Sequence, residues 1–316
     1  MQKHPFIAFL RLIRVENLLI ITITQLCIKY LVFEPINPFS KFTPSLFFIS
    51  LLSTILIAAA GYIINDYFDV KTDKINRPNT VVIDVIIKRR VAMILHIFFN
   101  VVGLLLGLFL ALKCHNIKLI AIQLISILLL WFYSTHFKKQ LLIGNIIVSI
   151  LTAMVPLMPL MYDYYLIGEI DPITSFLISN FLSSFITIVF GYSAFAFLTS
   201  LTREVIKDMQ DYEGDIQTGC RTMPIVWGII TSKVVTFFLI LITIGLLLLA
   251  CLKFYKDGYH IAVYYIAGLV ISPLLFLLIQ TIRAKKSNDF KIASLLLKLT
   301  MLFGIIFTFV LRYWPH

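Results

Sequence analysis

The chain is a succession of long apolar segments separated by short polar connections. Each segment is close to the roughly 20 residues that a helix needs to cross the hydrocarbon core of a bilayer. Because backbone groups in lipid must be hydrogen-bonded within the segment, we expect each one to be helical. The pattern predicts an all-α, polytopic membrane protein with eight or nine transmembrane helices, near residues 18–33, 44–64, 91–112, 117–133, 143–161, 173–199, 234–252, 259–281 and 293–311.

Composition supports this prediction and excludes several classes of protein. Of the 316 residues, 60% are hydrophobic and 14% are charged, whereas a soluble domain has about 25% charged residues. We therefore predict a single membrane-embedded domain over residues 1–316. The net charge of +11 comes from residues that flank the apolar segments, which indicates contact with anionic headgroups and an anionic substrate rather than with nucleic acid. Cysteine and histidine spacings give neither a zinc site nor a disulfide framework.

One acidic stretch follows the second apolar segment. Asp66, Asp69 and Asp73 come directly after Asn65, with spacings of three and four residues. On a helix, this spacing places the three carboxylates along one face. Three adjacent anions are costly beside a membrane, so the pattern indicates a bound Mg²⁺, which prefers carboxylate oxygens and keeps positions open for phosphates.

The same spacing returns 142 residues later, at Asp208, Asp211 and Asp215, and an arginine and a proline follow both copies. We expect the sixth helix to continue to Asp208 and the loop 209–232 to carry the rest of the second motif. One such cluster could be a solvated helix end. Two matched copies predict two pseudo-repeated halves, with motifs at 65–73 and 207–215, that face one site.

The distribution of Lys and Arg predicts the orientation in the membrane. Nineteen of them lie in the N-terminal segment and in the loops 66–90, 135–142, 200–233 and 282–292, and six lie on the opposite side. Positively charged loops stay in the cytoplasm. The N-terminus and both acidic motifs are therefore predicted to be cytoplasmic, in a multi-pass protein of the cell membrane.

The two motifs resemble the signatures of the UbiA superfamily of intramembrane prenyltransferases, Asn-Asp-x-x-Asp-x-x-x-Asp and Asp-x-x-Asp-x-x-x-Asp. This resemblance extends from Arg14 to the last apolar segment. It implies nine transmembrane helices around a central cavity and Mg²⁺-dependent transfer of a polyprenyl group from its diphosphate to a lipophilic acceptor. In such an enzyme, metal and basic groups stabilise the departing diphosphate, and an apolar cavity with aromatic faces protects the allylic cation from water.

The resemblance also implies roles for individual residues. Asn65 and the six aspartates would hold Mg²⁺ and diphosphate, and further substrate-binding residues would be Arg14, Asn17, Arg77, Tyr133 and Lys138. Some of these side chains could instead have a structural role. Arg14 could be a snorkelling surface residue, Lys138 could be a positive-inside anchor, and Asp208 could pair with Arg203 or Lys207. Relatives often have glycine after the Arg-Pro pair, whereas this chain has the stretch 79–84, so the sequence does not define the conformation of that loop.

The lead-in to the second motif bears on the acceptor. Arg203 and Lys207 lie one turn apart before the carboxylates, which suits an acceptor with its own phosphate, although the donor diphosphate accounts for them equally well. The Arg-Glu-x-x-Lys-Asp lead-in is similar to the geranylgeranylglycerol-phosphate geranylgeranyltransferase branch, which implies a geranylgeranyl group and a prenylglycerol phosphate acceptor. The alternatives are an aromatic quinone precursor as acceptor and, more remotely, an ion-coupled transporter, whose carboxylates would lie mid-membrane.

Overall fold

A computed structural model describes residues 5–34, 41–166 and 172–313, with the backbone alone for 172–185. Nine helices in these residues are long and apolar enough to cross a membrane, which confirms the predicted all-α class and the number of spans. Three short helices complete the set. The helices are α1 (Pro5–Leu12), α2 (Val15–Phe33), α3 (Pro44–Asn76), α4 (Arg89–Lys113), α5 (Ile117–Thr135), α6 (Ile143–Leu166), α7 (Pro172–Gln210), α8 (Tyr212–Gln217), α9 (Met223–Val226), α10 (Gly228–Lys256), α11 (His260–Arg283) and α12 (Ser287–Tyr313).

Helix α3 continues well beyond its apolar part. Thr43 caps its N-terminus by accepting a hydrogen bond from the Leu46 amide, and the helix ends at Asn76, one residue before Arg77-Pro78, because a residue before proline disfavours the helical conformation. The prediction of a loop over residues 66–90 is therefore wrong for residues 66–76, which are helical. The first acidic motif lies on a regular helix, as the spacing of its carboxylates required.

The segment between α3 and α4 folds back under the N-terminal helix. Val81, Val82 and Ile83 are buried there against Ala8 and Leu12 of α1. Their side chains line the cavity described below. The stretch 79–84, which has no glycine and whose conformation the sequence did not define, thus packs over the mouth of the cavity.

A proline in α6 helps to fix helix α2 against it. Pro159 has no amide hydrogen, so the carbonyl of Val155, four residues earlier, has no helical partner. The Gln25 side-chain amide of α2 donates to that carbonyl at 3.2 Å. The contact holds α2 and α6 together on one wall of the cavity, while α10, α11 and α12 pack through a separate apolar core beside α7.

Candidate functional site

A cavity of about 760 Å³ opens among α2, α3, α5, α6, α7 and α12. Its volume lies within the usual range of about 300–1,000 Å³ for ligand pockets. Its inner part is mainly apolar, with Ile57, Ile122, Leu151 and Met158 in the wall and the polar side chains of Ser53, Thr54 and Gln123 beside them. Its mouth is charged, because the first acidic motif and several basic side chains converge there.

The first motif has the geometry that its spacing predicted. Asp66, Asp69 and Asp73 all line the cavity along one face of α3, together with Asn65. Arg14 donates to Asp66 at 2.7 Å, and Lys138 forms an ion pair with Asp69 and a longer contact of 3.4 Å with Asn65. Each of the first two aspartates therefore has its own cation.

The backbone conformation positions the Arg14 and Lys138 side chains at the aspartates. Arg14 lies between α1 and α2 with φ of 50°, a left-handed conformation that separates the two helices and is uncommon for an arginine. Lys138 lies in the turn after α5, which packs tightly on Gly144 at the start of α6. A Cβ at Gly144 would come within 3.0 Å of the Lys138 backbone, so only glycine permits that approach.

The second motif is less regular than the first. Helix α7 ends at Gln210 and α8 begins at Tyr212, so Asp211 lies at a break and its neighbours do not share one continuous helix. Asp208 accepts a hydrogen bond from the Asn145 side chain at 2.8 Å. The pairing with Arg203 or Lys207 that the sequence allowed is not the one observed, because both of those cations contact Glu204 instead.

The two motifs meet directly. Arg77 donates to both carboxylate oxygens of Asp211, at 2.5 and 2.7 Å. The neighbouring Asn76 side chain donates to the Asp211 carbonyl at 3.2 Å and accepts from the Gly214 amide at 3.0 Å. The end of α3 is thus bonded to the start of α8. Asp211 of the second motif lines the cavity with the three aspartates of the first, whereas Asp208 and Asp215 are not among the lining residues.

The pairing of the carboxylates follows the same order in both motifs. The first aspartate of each motif is held by Arg14 or Asn145 and the second by Lys138 or Arg77. The side-chain carboxylate of the third, Asp73 or Asp215, makes no hydrogen bond or ion pair within the described residues. Among those residues, no three carboxylate, imidazole or thiol groups lie close enough to hold a metal by themselves.

This donor set suits Mg²⁺ shared with a ligand better than a closed protein cage. Mg²⁺ is normally held by one or two carboxylates together with waters and substrate phosphates. Asp73 and Asp215, one carboxylate from each motif without a protein partner among the described residues, provide that arrangement. Asp66, Asp69 and Asp211 could join only by exchanging their present cations.

Electrostatics at the mouth support this interpretation. Burial, and then the adjacent Asp211 carboxylate with a smaller contribution from Asp69, raises the pKa of Asp215 to about 6, although Lys138 and Arg77 oppose the shift. Burial lowers the pKa of Lys138, but the Asp69 carboxylate outweighs it and holds that pKa above its ordinary value. Negative charge is therefore in excess, and a cation that joined it would be stabilised.

Helix α7 presents a second charged group to the same cavity. Arg203, Glu204 and Lys207 line it on one stripe. The Glu204 carboxylate is 3.6 Å from the Arg203 guanidinium and 3.3 Å from the Lys207 ammonium. The Arg203 Nε is buried and has no hydrogen-bond partner among the described residues.

Two further predicted residues, Asn17 and Tyr133, also line the cavity. Asn17 lies beside Tyr62, and the Arg14 guanidinium lies 5.1 Å from the centre of the Tyr62 ring. Among the described residues, Tyr62 and Tyr133 are the aromatic side chains in the lining. The aromatic surface facing the cavity is therefore smaller than the many Phe and Tyr residues of the chain suggested.

Sequence reasoning missed several residues of the site. Glu204, Asn145, Asn76 and Tyr62 all contact predicted site residues, and none of them was predicted to have a role. Asn145 and Glu204 had a usable signal, since each is polar and close in sequence to a predicted residue. Asn76 had no such signal in the sequence, because its role depends on a contact with Gly214, 138 residues away.

The fold is shared with known proteins. The model of the UbiA prenyltransferase family matches residues 35–305 of the chain. The chain belongs to the UbiA prenyltransferase family. It is therefore a multi-pass membrane prenyltransferase, and the resemblance drawn from the motifs is confirmed.

Individual members of the UbiA family extend the comparison. A digeranylgeranylglyceryl phosphate synthase from Sulfolobus acidocaldarius is 31% identical over 268 residues, which cover 85% of each chain. One from Sulfurisphaera tokodaii is 30% identical over 243 residues, 77% of each chain. The structure of a UbiA homologue from Archaeoglobus fulgidus bound to GPP and Mg²⁺ has a TM-score of 0.59 at 18% identity, covering 96% of this chain and 100% of that one. At that identity the likeness concerns the fold.

Proposed function

We propose that the chain transfers a geranylgeranyl group from its diphosphate to the free hydroxyl of a prenylglycerol phosphate, at a Mg²⁺ site shared by the two aspartate motifs. The C1–O bond of the donor breaks, its electron pair leaves with the diphosphate, and the acceptor oxygen bonds to C1 while its proton is released. Mg²⁺, when bound, neutralises charge on the leaving diphosphate. The single observation that carries the proposal is the direct contact of the two motifs at one cavity mouth.

The protein groups have separate tasks in this reaction. Asp73 and Asp215 would accept the metal, and the remaining aspartates with Asn65 would complete its surroundings. Lys138 and Arg77, once exchanged from their carboxylates, would contact the diphosphate and stabilise its developing charge. The apolar part of the cavity would hold the prenyl chain and exclude water from the cationic carbon.

Support for the substrates comes from the relatives. The Archaeoglobus homologue was solved with a prenyl diphosphate and Mg²⁺, and the two archaeal relatives have names that specify a digeranylgeranylglyceryl phosphate product. An enzyme forming that product joins a geranylgeranyl donor to a glycerol phosphate that already has one such chain. We favour this acceptor over an aromatic one for this reason and because α7 adds cations to the cavity.

We further propose that residues 1–316 form one membrane-embedded domain with two pseudo-equivalent halves. Its N-terminus and active-site mouth would face the cytoplasm of a cell membrane. The excess of Lys and Arg beside the mouth supports this orientation. The matched order of carboxylate partners in the two motifs supports the relation between the halves.

The test uses the purified protein in detergent with radiolabelled geranylgeranyl diphosphate. Prenylglycerol phosphate and 4-hydroxybenzoate would be offered as acceptors, with Mg²⁺ or with EDTA. We expect a labelled diether phosphate with the first acceptor, in the presence of Mg²⁺ only. Transfer to the aromatic compound alone would contradict the acceptor assignment, and no diphosphate release with either acceptor would contradict the enzyme assignment.

Two substitutions make the test residue-specific. Asp69→Asn and Asp211→Asn should abolish transfer while circular dichroism shows unchanged helix content. Glu213→Gln is the matched control, because Glu213 lies within the second motif but is exposed and has no partner in the described structure. Activity within a few-fold of wild type in either aspartate variant would remove that residue from the site.

A further inference from the structure

We infer that Arg203 and Lys207 form a separate subsite for the phosphate of the acceptor, with Glu204 as the internal counter-anion that this phosphate displaces. The inference rests on the proposed function, because it needs an acceptor with its own phosphate. It assigns the two cations to the acceptor, whereas their sequence positions allowed either substrate. It also assigns a role to Glu204.

The three side chains form a compact group on one surface. Arg203, Glu204 and Lys207 face the cavity from the same stripe of α7, and Glu204 lies within 3.6 Å of both cations. Glu204 is 9% exposed. A carboxylate so placed occupies the position between two cations that a phosphate oxygen would otherwise take.

The charge of this group calls for an anion. Two cations face one carboxylate, so one positive charge is uncompensated within the group. The buried Nε of Arg203 also has no acceptor among the described residues. A buried donor without a partner costs free energy, and a phosphate monoester offers three strong acceptor oxygens in the geometry that a guanidinium binds.

The aspartate side of the mouth has the opposite requirement. There, the four motif aspartates that line the cavity (Asp66, Asp69, Asp73 and Asp211) face the three cations Arg14, Lys138 and Arg77, so negative charge is in excess. A diphosphate can enter that side only with metal. The two sides thus select ligands by charge. The aspartates bind the metal-bound diphosphate of the donor, and the cations of α7 bind a phosphate without metal.

Spacing along α7 leaves room for both ligands. Arg203 precedes Asp211 by eight residues, and a helix rises about 1.5 Å per residue, so the two positions are roughly 12 Å apart along the axis. Lys207 lies about 6 Å from Asp211 on the same measure. An acceptor phosphate held between Arg203 and Lys207 would therefore lie about 9 Å from Asp211 along the axis, which leaves room for a donor diphosphate at Asp211.

Steady-state kinetics with both substrates test the assignment. Arg203→Gln and Lys207→Gln should each raise the KM for prenylglycerol phosphate about tenfold or more, while the KM for geranylgeranyl diphosphate stays within about twofold. Glu204→Gln should lower the KM for the phosphorylated acceptor, because the competing carboxylate is gone. With the same acceptor lacking its phosphate, all three variants should behave like wild type. Lys291→Gln, an exposed lysine on α12, and Glu213→Gln are the matched controls.

Direct binding separates failure of this inference from failure of the proposed function. Calorimetry of prenylglycerol phosphate without donor should show tight binding to wild type and loss of binding to the Arg203→Gln/Lys207→Gln double variant, with helix content checked by circular dichroism. Equal binding by both proteins would overturn the inference. An increased KM for the donor in place of the acceptor would also overturn it, while leaving prenyl transfer intact. Absence of any transfer by wild type would overturn the proposed function instead.

Discussion

Replacing Gly214 by alanine should push the two aspartate motifs apart. A Cβ built at this position would lie 2.5 Å from the Asn76 side-chain nitrogen, closer than real atoms approach. The Asn76 side chain would have to leave its place, which breaks its hydrogen bonds to Asp211 and Gly214. Because these bonds join α3 to α8, their loss should weaken the shared metal–diphosphate site.

The size of the effect follows from those two bonds. Each neutral hydrogen bond contributes about 1 kcal/mol net, so the loss is about 2 kcal/mol, or about 30-fold in an equilibrium or rate ratio. In an otherwise open helix, alanine in place of glycine would stabilise by up to about 1 kcal/mol. The clash with the Asn76 side chain therefore has to outweigh the favourable helix propensity of alanine. If Asn76 is also shortened to alanine, the clash is gone, and Gly214→Ala should no longer be destabilising.

A double-mutant cycle measures this coupling. The kcat/KM for prenyl diphosphate would be determined for Gly214→Ala, for Asn76→Ala and for the combination. We expect each single variant to lose about 30-fold, and the double variant to lose no more than Asn76→Ala alone, because the second change then meets no obstacle. Gly245→Ala, at a helical glycine with open space around it, is the control. Multiplicative losses, or a Gly214→Ala variant with wild-type activity, would refute the contact.

Three other outcomes follow from the site. Lys138→Met should reduce the steady-state rate of prenyl transfer by at least about a hundredfold, as expected for a lost charge-stabilising group. Lys139→Met should change this rate little. Equal effects of the two substitutions would assign both lysines to surface anchoring. Because the pKa of Asp215 is raised to about 6, this carboxylate is ionised at pH 7.5 and largely protonated at pH 5.5. Mg²⁺ should therefore raise the melting temperature more at pH 7.5, and Asp215→Asn should reduce that difference. Met158 lies in the apolar inner part of the cavity, so Met158→Ala should increase the relative kcat/KM for a donor one isoprene unit longer in a competition assay, and an unchanged preference would place the chain end elsewhere.

Much of the fold could be predicted because lipid leaves so few choices. Apolar segments of transmembrane length must be helical, and all nine predicted segments are. Their ends could not be predicted from hydropathy, since a helix stops for local reasons. Helix α3 passes through twelve polar and apolar residues beyond position 64 before Pro78 stops it. That extension is what carries Asp66, Asp69 and Asp73 on one face.

The site was predictable where it depended on local spacing and not where it depended on tertiary contacts. The carboxylates of the first motif follow from helical periodicity alone. The pairing of Asp208 with Asn145, and of Arg203 and Lys207 with Glu204, depends on how α6 and α7 pack and how the side chains turn. A sequence shows which charges are available, but the structure decides which of them neutralise each other.

One binding measurement tests the shared site most directly. A geranylgeranyl thiolodiphosphate, which leaves too slowly to react, would be titrated into the protein with Mg²⁺ by calorimetry, for wild type, Asp73→Asn and Asp215→Asn. The account predicts that each variant, one from each motif, loses at least tenfold in affinity, about 1.4 kcal/mol. Wild-type affinity in either variant would contradict a site built from both motifs.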